Sequence, residues 1–434
     1  MAHIRIKNIG PIKDISFDLN KINVFMGPQS SGKSTIAKII SYCSWYEKNA
    51  ILHTSNRPNF FDELITFHNL EETYFSDDSE IQYESEICKL DFKWKWKDST
   101  QNRVDFHLKE GNVFKNRKIS YIPAERNFVT LPGLGKYNET RDNILSFMYD
   151  WFLAKKELTQ NNSYLMPLPG LGSVAYYFDK ETDADKVVIE QDRNIKLNHA
   201  SSGLRSSIPM LIVFNYIVMS IYNSKRTKTP FEIIDFEDKL QFIKAETIEA
   251  TENVKYRLTE MKKTLDILMS SVPSTKKTEE VKKSLVEMQE QMANILGYYS
   301  DYFYSQVIIE EPELNLFPKT QQELIYYMLD ILNKEEKEHQ LILTTHSPFI
   351  LFAINNCMMG GLVRNNIPFE VVNNLPSYFS WINPAKVSVY EIHDGKLKSI
   401  QDEDGIIEDN YLNQAYKENS NEYLSMLNYY DNEE

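Results

Sequence analysis

Residues 22–40, INVFMGPQSSGKSTIAKII, decide the fold of this chain. Ile22, Val24, Phe25 and Met26 make a short apolar run of the kind that forms a buried strand. Ile36, Ile39, Ile40 and Cys43 then recur at helical spacing. Between the two lies Gly27-Pro28-Gln29-Ser30-Ser31-Gly32-Lys33-Ser34, followed by Thr35, which fits G-x-x-x-x-G-K-[ST] at every position. Glycines let successive backbone N–H groups converge on phosphate oxygens, and the start of the next helix adds the positive end of its dipole. In this pattern Lys33 reaches the β- and γ-phosphates and the Ser34 hydroxyl is offered to Mg²⁺. Strand, loop and helix together predict a nucleotide-binding P-loop that also holds Mg²⁺.

Outward from the loop, HIRIKNIG, PIKDISFDL and KINVFMG alternate apolar and polar residues around turns at Gly10-Pro11 and Asn20, which predicts N-terminal antiparallel strands. Far downstream, QVIIEEPELNLFP and QLILTTHSPFIL each begin as a short continuous apolar run, the signature of strands buried on both faces of a largely parallel sheet. The first ends in Glu310 and Glu311, at the sheet edge where ligands bind in such folds. One carboxylate, Glu310, suits a hydrated Mg²⁺, and its neighbour Glu311 suits the attacking water. His346 follows the second strand and lands on the same edge. SVYEIHDGKLKSI reads as a β-hairpin over Asp394-Gly395.

The totals set limits. A chain of 434 residues with 42% hydrophobic content can bury a large core. A net charge of -14 argues against coating nucleic acid through the overall field, while leaving a local basic groove open. The cysteines Cys43, Cys88 and Cys357 form no CxxC pair and read as reduced structural thiols. MAHIRIKNIG lacks an apolar core, so no secretory signal is expected. HASSGLRSSIPMLIVFNYIVMSIY (residues 199–222) is interrupted by Pro209 and Asn215 short of the roughly eighteen uninterrupted apolar residues of a membrane span. It reads as a buried helix, with Pro209 expected in its first turn. A cytoplasmic chain without a membrane anchor is the expectation.

Between these landmarks, the interleaved Lys93-Trp94-Lys95-Trp96-Lys97 reads either as a nucleic-acid surface or, better, as a half-buried strand. Residues 141–157 predict a helix. Leu258, Met261, Leu265 and Leu268, then Val281, Leu285, Met288 and Met292, step by three and four on either side of Pro273, which predicts a helical hairpin. Asp402, Asp404 and Glu408 read as solvated charge in an acidic, partly helical tail.

With these motifs assembled, the chain resembles the ABC-type ATPase heads of the RecF, SMC and OLD (overcoming lysogenisation defect) group, and most the small bacterial AAA-family proteins around OLD. The resemblance rests on IRIKNIGPIKDISFDL, GPQSSGKS, VIIEEPELNLFP with Pro318, and TTHSPFIL. It implies an α/β P-loop NTPase of the ABC-type head, a mixed sheet flanked by helices with N-terminal antiparallel strands, in which 1–224 and 301–434 form the head and 225–300 is an inserted, dimerising hairpin. It also implies that Ala200-Ser201-Ser202-Gly203-Leu204-Arg205-Ser206 stands where the family carries its LSGGQ-type signature, so that Ser202 and Gly203, with Arg205 as an extra candidate, would bind the γ-phosphate of ATP held by a second subunit. Only the Ser-Gly pair matches. YIPAERN lies where the family's Q-loop is expected, making Glu125 and Arg126 candidates for sensing nucleotide or metal, with a structural salt bridge as the alternative. Glu311 and His346 would be catalytic. About eighty residues follow the histidine segment, too few for the Toprim nuclease of OLD proteins.

The resemblance implies a homodimer or higher homo-oligomer that acts as a sensor or regulator of a separate effector, a nuclease or toxin, in anti-phage defence. The alternatives are a RecF- or SMC-like ATPase whose partner is DNA in repair or chromosome maintenance, and a non-catalytic ATP-stabilised scaffold. The signature and EEPE segments are not those of a transporter subunit.

Overall fold

A computed structural model of the chain describes residues 2–52, 60–95, 103–109, 114–131, 142–190, 193–222, 301–427 and 429–430. The expected hairpin over 225–300 lies outside the described residues, as do Trp96 and Lys97.

The chain opens with β1 (Ala2–Ile9), β2 (Ile12–Leu19) and β3 (Ile22–Met26). β2 buries Ile12, Ile15, Phe17 and Leu19 and exposes the polar residues between them, as its alternation requires. Helix α1 (Lys33–Leu52) follows the P-loop, and α2 (Phe60–His68) packs near it. Strands β4 (Phe75–Glu84), β5 (Cys88–Lys93) and β6 (Arg103–Leu108) join the first two in an antiparallel sheet of order β2-β1-β4-β5-β6. Trp94, just beyond β5, is buried with its ring stacked on Phe61 at 3.7 Å between centroids. In its described part, therefore, the Lys-Trp run is the half-buried end of an interior strand.

β7 (Arg117–Ile122) and α3 (Asn143–Lys155) come next. A small antiparallel sheet follows, built from β8 (Tyr164–Leu165), β9 (Ala175–Asp179), β10 (Ala184–Glu190) and β11 (Arg193–Lys196). Helix α4 (Ser202–Asn215) runs on into a π-helical turn at Tyr216–Ser220. The helical stretch Ser202–Ser220 is long and apolar enough to cross a membrane, yet 72% of it is buried inside the protein, as befits a core helix. Pro209 lies well inside α4 rather than in its first turn, because Ser201 caps the helix and the turns before Pro209 are already helical. The expectation for that proline was wrong.

The later elements include β12 (Tyr304–Glu310), α5 (Pro318–Lys334), β13 (Gln340–Thr345), α6 (Pro348–Val363), the hairpin β14 (Val387–His393) with β15 (Lys396–Ser399), and α7 (Tyr411–Leu427). Asp402, Asp404 and Glu408 are exposed, as expected of solvated charge. Their backbone nevertheless forms a tight turn, with Gln401 bridged to Ile407 and Asp402 Oδ1 accepting from Ile406 N.

The central sheet has six strands in the order β15-β14-β3-β13-β12-β7, with only β15 antiparallel. Its strands face two separate cores: Val307 and Ile309 belong to one cluster, Ile308 to the other. Burial on both faces explains why these strands read as continuous apolar runs. The histidine strand β13 lies between the P-loop strand β3 and the acidic strand β12, so all three loops leave adjacent parallel strands at one edge. This is an α/β P-loop NTPase fold of the ABC-type ATPase head, a mixed sheet flanked by helices and accompanied by the N-terminal antiparallel strands.

Candidate nucleotide site

The P-loop has a backbone that only glycine permits at its two ends. Gly27 has φ 155°, and a Cβ there would stand 2.3 Å from the Ile392 carbonyl oxygen. Gly32 has φ 104°, and a Cβ there would stand 2.4 Å from Ile12 Cδ1. Gln29 and Ser30 form the exposed crest, Ser31 is half-buried below it, and Ser34 is exposed in the first turn of α1 with Thr35 buried beside it. Lys33 is buried, its Nζ donating to the carbonyls of Gly27 at 3.0 Å and Pro28 at 2.7 Å. Burial lowers its pKa to about 8, opposed by the nearby charges of Glu311 and Glu313. Lys33 thus sits within electrostatic reach of the acidic loop, as a phosphate-binding lysine must.

At the end of β12, Glu310 is 5% exposed and both its oxygens are held. Tyr121 Oη donates to Oε1 at 2.6 Å, and the Ala124 amide approaches Oε2 at 3.4 Å. Glu311 leaves the strand with φ 44°, a left-handed conformation rare for a residue with a side chain, while its amide still bonds to Thr344 O at 3.0 Å. The turn directs its carboxylate to His346 Nε2, 3.2 Å from Oε1. The hydrogen bond from His346 holds the Glu311 carboxyl below the usual carboxylate range, against partial burial. Glu313 anchors the histidine loop from beneath: its Oε1 accepts from Thr345 Oγ1 at 2.8 Å and from the His346 amide at 2.7 Å. Burial raises the Glu313 pKa despite these bonds. Ser347 caps α6 and bonds to Gln321 of α5, so the histidine is fixed from both sides.

The signature candidate occupies the start of α4. Ser201 is the N-cap, accepting from Leu204 N at 3.4 Å. Ser202 is exposed at the first helical position. Gly203 is buried, and a Cβ there would approach the Asn315 carbonyl to 3.0 Å, so this turn packs on the loop that follows the acidic strand. Arg205 is half-buried with its Nε unpartnered.

Arg126 is fully buried and binds backbone carbonyls, not an exposed ligand edge. Nη1 donates to Glu310 O at 2.8 Å and Nη2 to Glu311 O at 2.8 Å, while Nε donates to Ser206 O at 3.2 Å. It ties the acidic loop to α4 through these carbonyls. Glu125 is exposed beside it. Tyr121, Glu313 and Arg126 are the site's supporting residues that motif reading missed in these roles. The first and third stand in the quoted YIPAERN segment, the second in EEPE.

Ser34, Glu310, Glu311 and His346 thus converge on one edge with the P-loop. Among the described residues no group of three or more His, Cys, Asp or Glu could cage a metal ion. A Mg²⁺ held by one hydroxyl, one carboxylate and phosphate oxygens needs no such cage, and Ser34 with Glu310 fits that donor set.

A family model described as an AAA ATPase domain matches residues 303–351, from the start of β12 into α6, and so includes Glu310, Glu311 and His346. No curated protein matches the chain. Among solved structures, the SMC head domain from Thermotoga maritima is similar at 8% identity and TM-score 0.37, covering 92% of this chain and 98% of that one. The Pyrococcus furiosus Smc head bound to the C-terminal domain of ScpA is similar at 8% and 0.36, covering 97% and 99%. The recombination mediator protein RecF is similar at 14% and 0.30, covering 92% and 97%. At these TM-scores the likenesses add nothing to what the strand order and the loops establish.

Proposed function

We propose that the chain binds and hydrolyses ATP as an ABC-type ATPase of the OLD-like group, and that it works as a nucleotide-dependent sensor or regulator of a separate effector, a nuclease or toxin, in bacterial anti-phage defence. The observation that carries the ATPase reading is the convergence of a complete P-loop, the Glu310-Glu311 pair and His346 at the ends of three adjacent parallel strands. The OLD-like part is supported by the EEPE segment with Pro318 and by the place of 225–300 between signature and acidic strand. The effector and its biological setting follow from that resemblance.

In this reading Gly27 to Thr35 cradle the phosphates and Lys33 neutralises their charge. Mg²⁺, held through Ser34 and Glu310, supplies charge neutralisation at the transferred phosphoryl group. Glu311 is ionised at neutral pH and orients the attacking water. Its low proton affinity suits it to positioning water better than to taking the proton early. His346 steadies that carboxylate. Ser202 and Gly203 are exposed or packed away from their own P-loop's contacts, and they serve a second copy's γ-phosphate, which makes turnover depend on a dimer.

ATP hydrolysis measured over a range of protein concentrations, with and without duplex DNA, tests the reading. Turnover per chain should rise with protein concentration and ignore DNA. Strong stimulation by DNA would favour the RecF- or SMC-like alternative, and no hydrolysis at any concentration would contradict the enzyme.

A further inference from the structure

The carboxylate of Glu310 is held by a strand that carries no motif of its own. β7 pairs with β12 in parallel, and Tyr121 stands beside Ile308 in that register. Ile308 and Glu310 are two residues apart and so share one face of the sheet. Tyr121 and Ile308 belong to the same core cluster. From there the Tyr121 hydroxyl donates to Glu310 Oε1 at 2.6 Å, while the Ala124 amide, in the loop after β7, lies 3.4 Å from Oε2.

The tyrosine is itself fixed. It is buried, and its ring packs against that of His68, the last residue of α2, at 5.2 Å between centroids. His68 is fully buried with no hydrogen-bond partner at either ring nitrogen, so it serves here as a flat wall. Among the described residues, the bond to Glu310 is the one bond that the Tyr121 hydroxyl makes. A phenylalanine would fill the same space in the core, so the hydroxyl is there for the carboxylate. Burial, and after it the Glu310 charge, pushes the phenol pKa up, which keeps the proton on Oη and the hydroxyl a donor.

We propose that Tyr121 is a positioning residue for the metal carboxylate: its hydroxyl fixes the Glu310 side chain in place for Mg²⁺ before ion and nucleotide arrive. This rests on the proposed assignment of Glu310 to Mg²⁺. A glutamate side chain has several rotors, and a partner that orders it beforehand removes that loss of freedom from the binding step. Groups that orient a ligating carboxylate govern metal affinity in the same way. The topology suits the role. β7 flanks β12 on the side away from β13 and the P-loop strand β3, so both donors to Glu310 come from elements on the far side. The P-loop side of the carboxylate is left to the metal.

Equilibrium binding of a fluorescent, non-hydrolysable ATP analogue to the full chain, in excess Mg²⁺ and in EDTA, tests this without reference to turnover. The wild type should bind more tightly in Mg²⁺. Tyr121→Phe, which removes one oxygen and keeps the ring, should bind about tenfold more weakly than wild type in Mg²⁺ and equally well in EDTA. In a Glu310→Gln chain, which lacks the metal carboxylate, adding Tyr121→Phe should change neither value. A Tyr121→Phe chain that matches wild type in both conditions, or that loses affinity equally in both, would overturn the proposal. A wild type indifferent to Mg²⁺ would instead remove the metal site at Glu310, and the proposal with it.

Discussion

Lys33 and Glu311 carry the sharpest expectations. The Lys33 ammonium already sits among the Gly27 and Pro28 carbonyls, so the loop is shaped around a cation before any phosphate arrives. Lys33→Ala should lower ATP affinity by about 100-fold or more, since it removes a charge-assisted contact at a largely desolvated site. Equilibrium binding of a fluorescent ATP analogue reads this, and unchanged affinity would show that the loop is not the nucleotide site. Buried histidines give a second expectation at this scale. Burial lowers His339 to about 4 from an ordinary 6.5, with Lys21 and Lys337 adding to the shift, and burial holds His68 well below its ordinary value too. Between pH 6.5 and 4 the unfolded chain binds a proton at His339 that the folded chain refuses. The stability from neutral His339 is therefore full above 6.5 and lost as pH falls toward 4, at up to about 1.4 kcal/mol per pH unit. His339→Gln should flatten that part of the pH profile in urea titrations. A profile equally steep in the variant would contradict the assignment.

Among the elements, Arg126 ties three together: the loop after β7, the acidic end of β12 and helix α4. Its guanidinium is fully buried among carbonyls, and burial lowers its pKa to about 10, leaving it charged at neutral pH. Arg126→Leu should cost about 3 kcal/mol or more in denaturant unfolding, because the carbonyls of Glu310, Glu311 and Ser206 lose their donor inside the core. A loss below about 1 kcal/mol would mean that the clamp is dispensable. Such clamps are hard to see in a sequence. β1 to β3, the P-loop helix, β12, β13 and the β14-β15 hairpin announce themselves by local period and turn residues, which adjacent positions fix. Arg126 meets Glu310 across 184 residues, and Tyr121 meets it across 189, so no local pattern marks either pair. The strands β9 to β11 went unread because aromatic and charged residues there blur the alternation, and their partners are supplied by the fold. Pro209 was misplaced because an apolar run shows a helix without showing where its cap lies. Ser201 accepts from Leu204 N, and that bond sets the start.

For the whole molecule, the decisive feature is that one edge of the sheet gathers the P-loop, the acidic pair and the histidine, while Ser202 is exposed at the start of a helix that packs on the acidic loop. In the proposed reading a second copy completes the site. Ser202→Arg should leave ATP binding largely intact and stop hydrolysis, since the bulky cation stands where the partner's γ-phosphate must approach. A turnover rate equal to wild type would remove the signature assignment and the dimer with it. Charge supports the same picture at this scale. A net charge of -14 keeps duplex DNA from being drawn to the surface as a whole, and between like-charged copies it leaves local complementarity as the route to the proposed dimer.

The most direct test of the central claim is single-turnover ATP hydrolysis by Glu311→Gln beside wild type, with ATP binding measured in both. The substitution keeps the side chain's shape and its place next to His346, but removes the charge that orients water. The account predicts retained ATP binding with turnover reduced by about 10²–10⁴-fold. Wild-type turnover in the variant would contradict the assignment of Glu311, and with it the reading of this edge as an ATPase site.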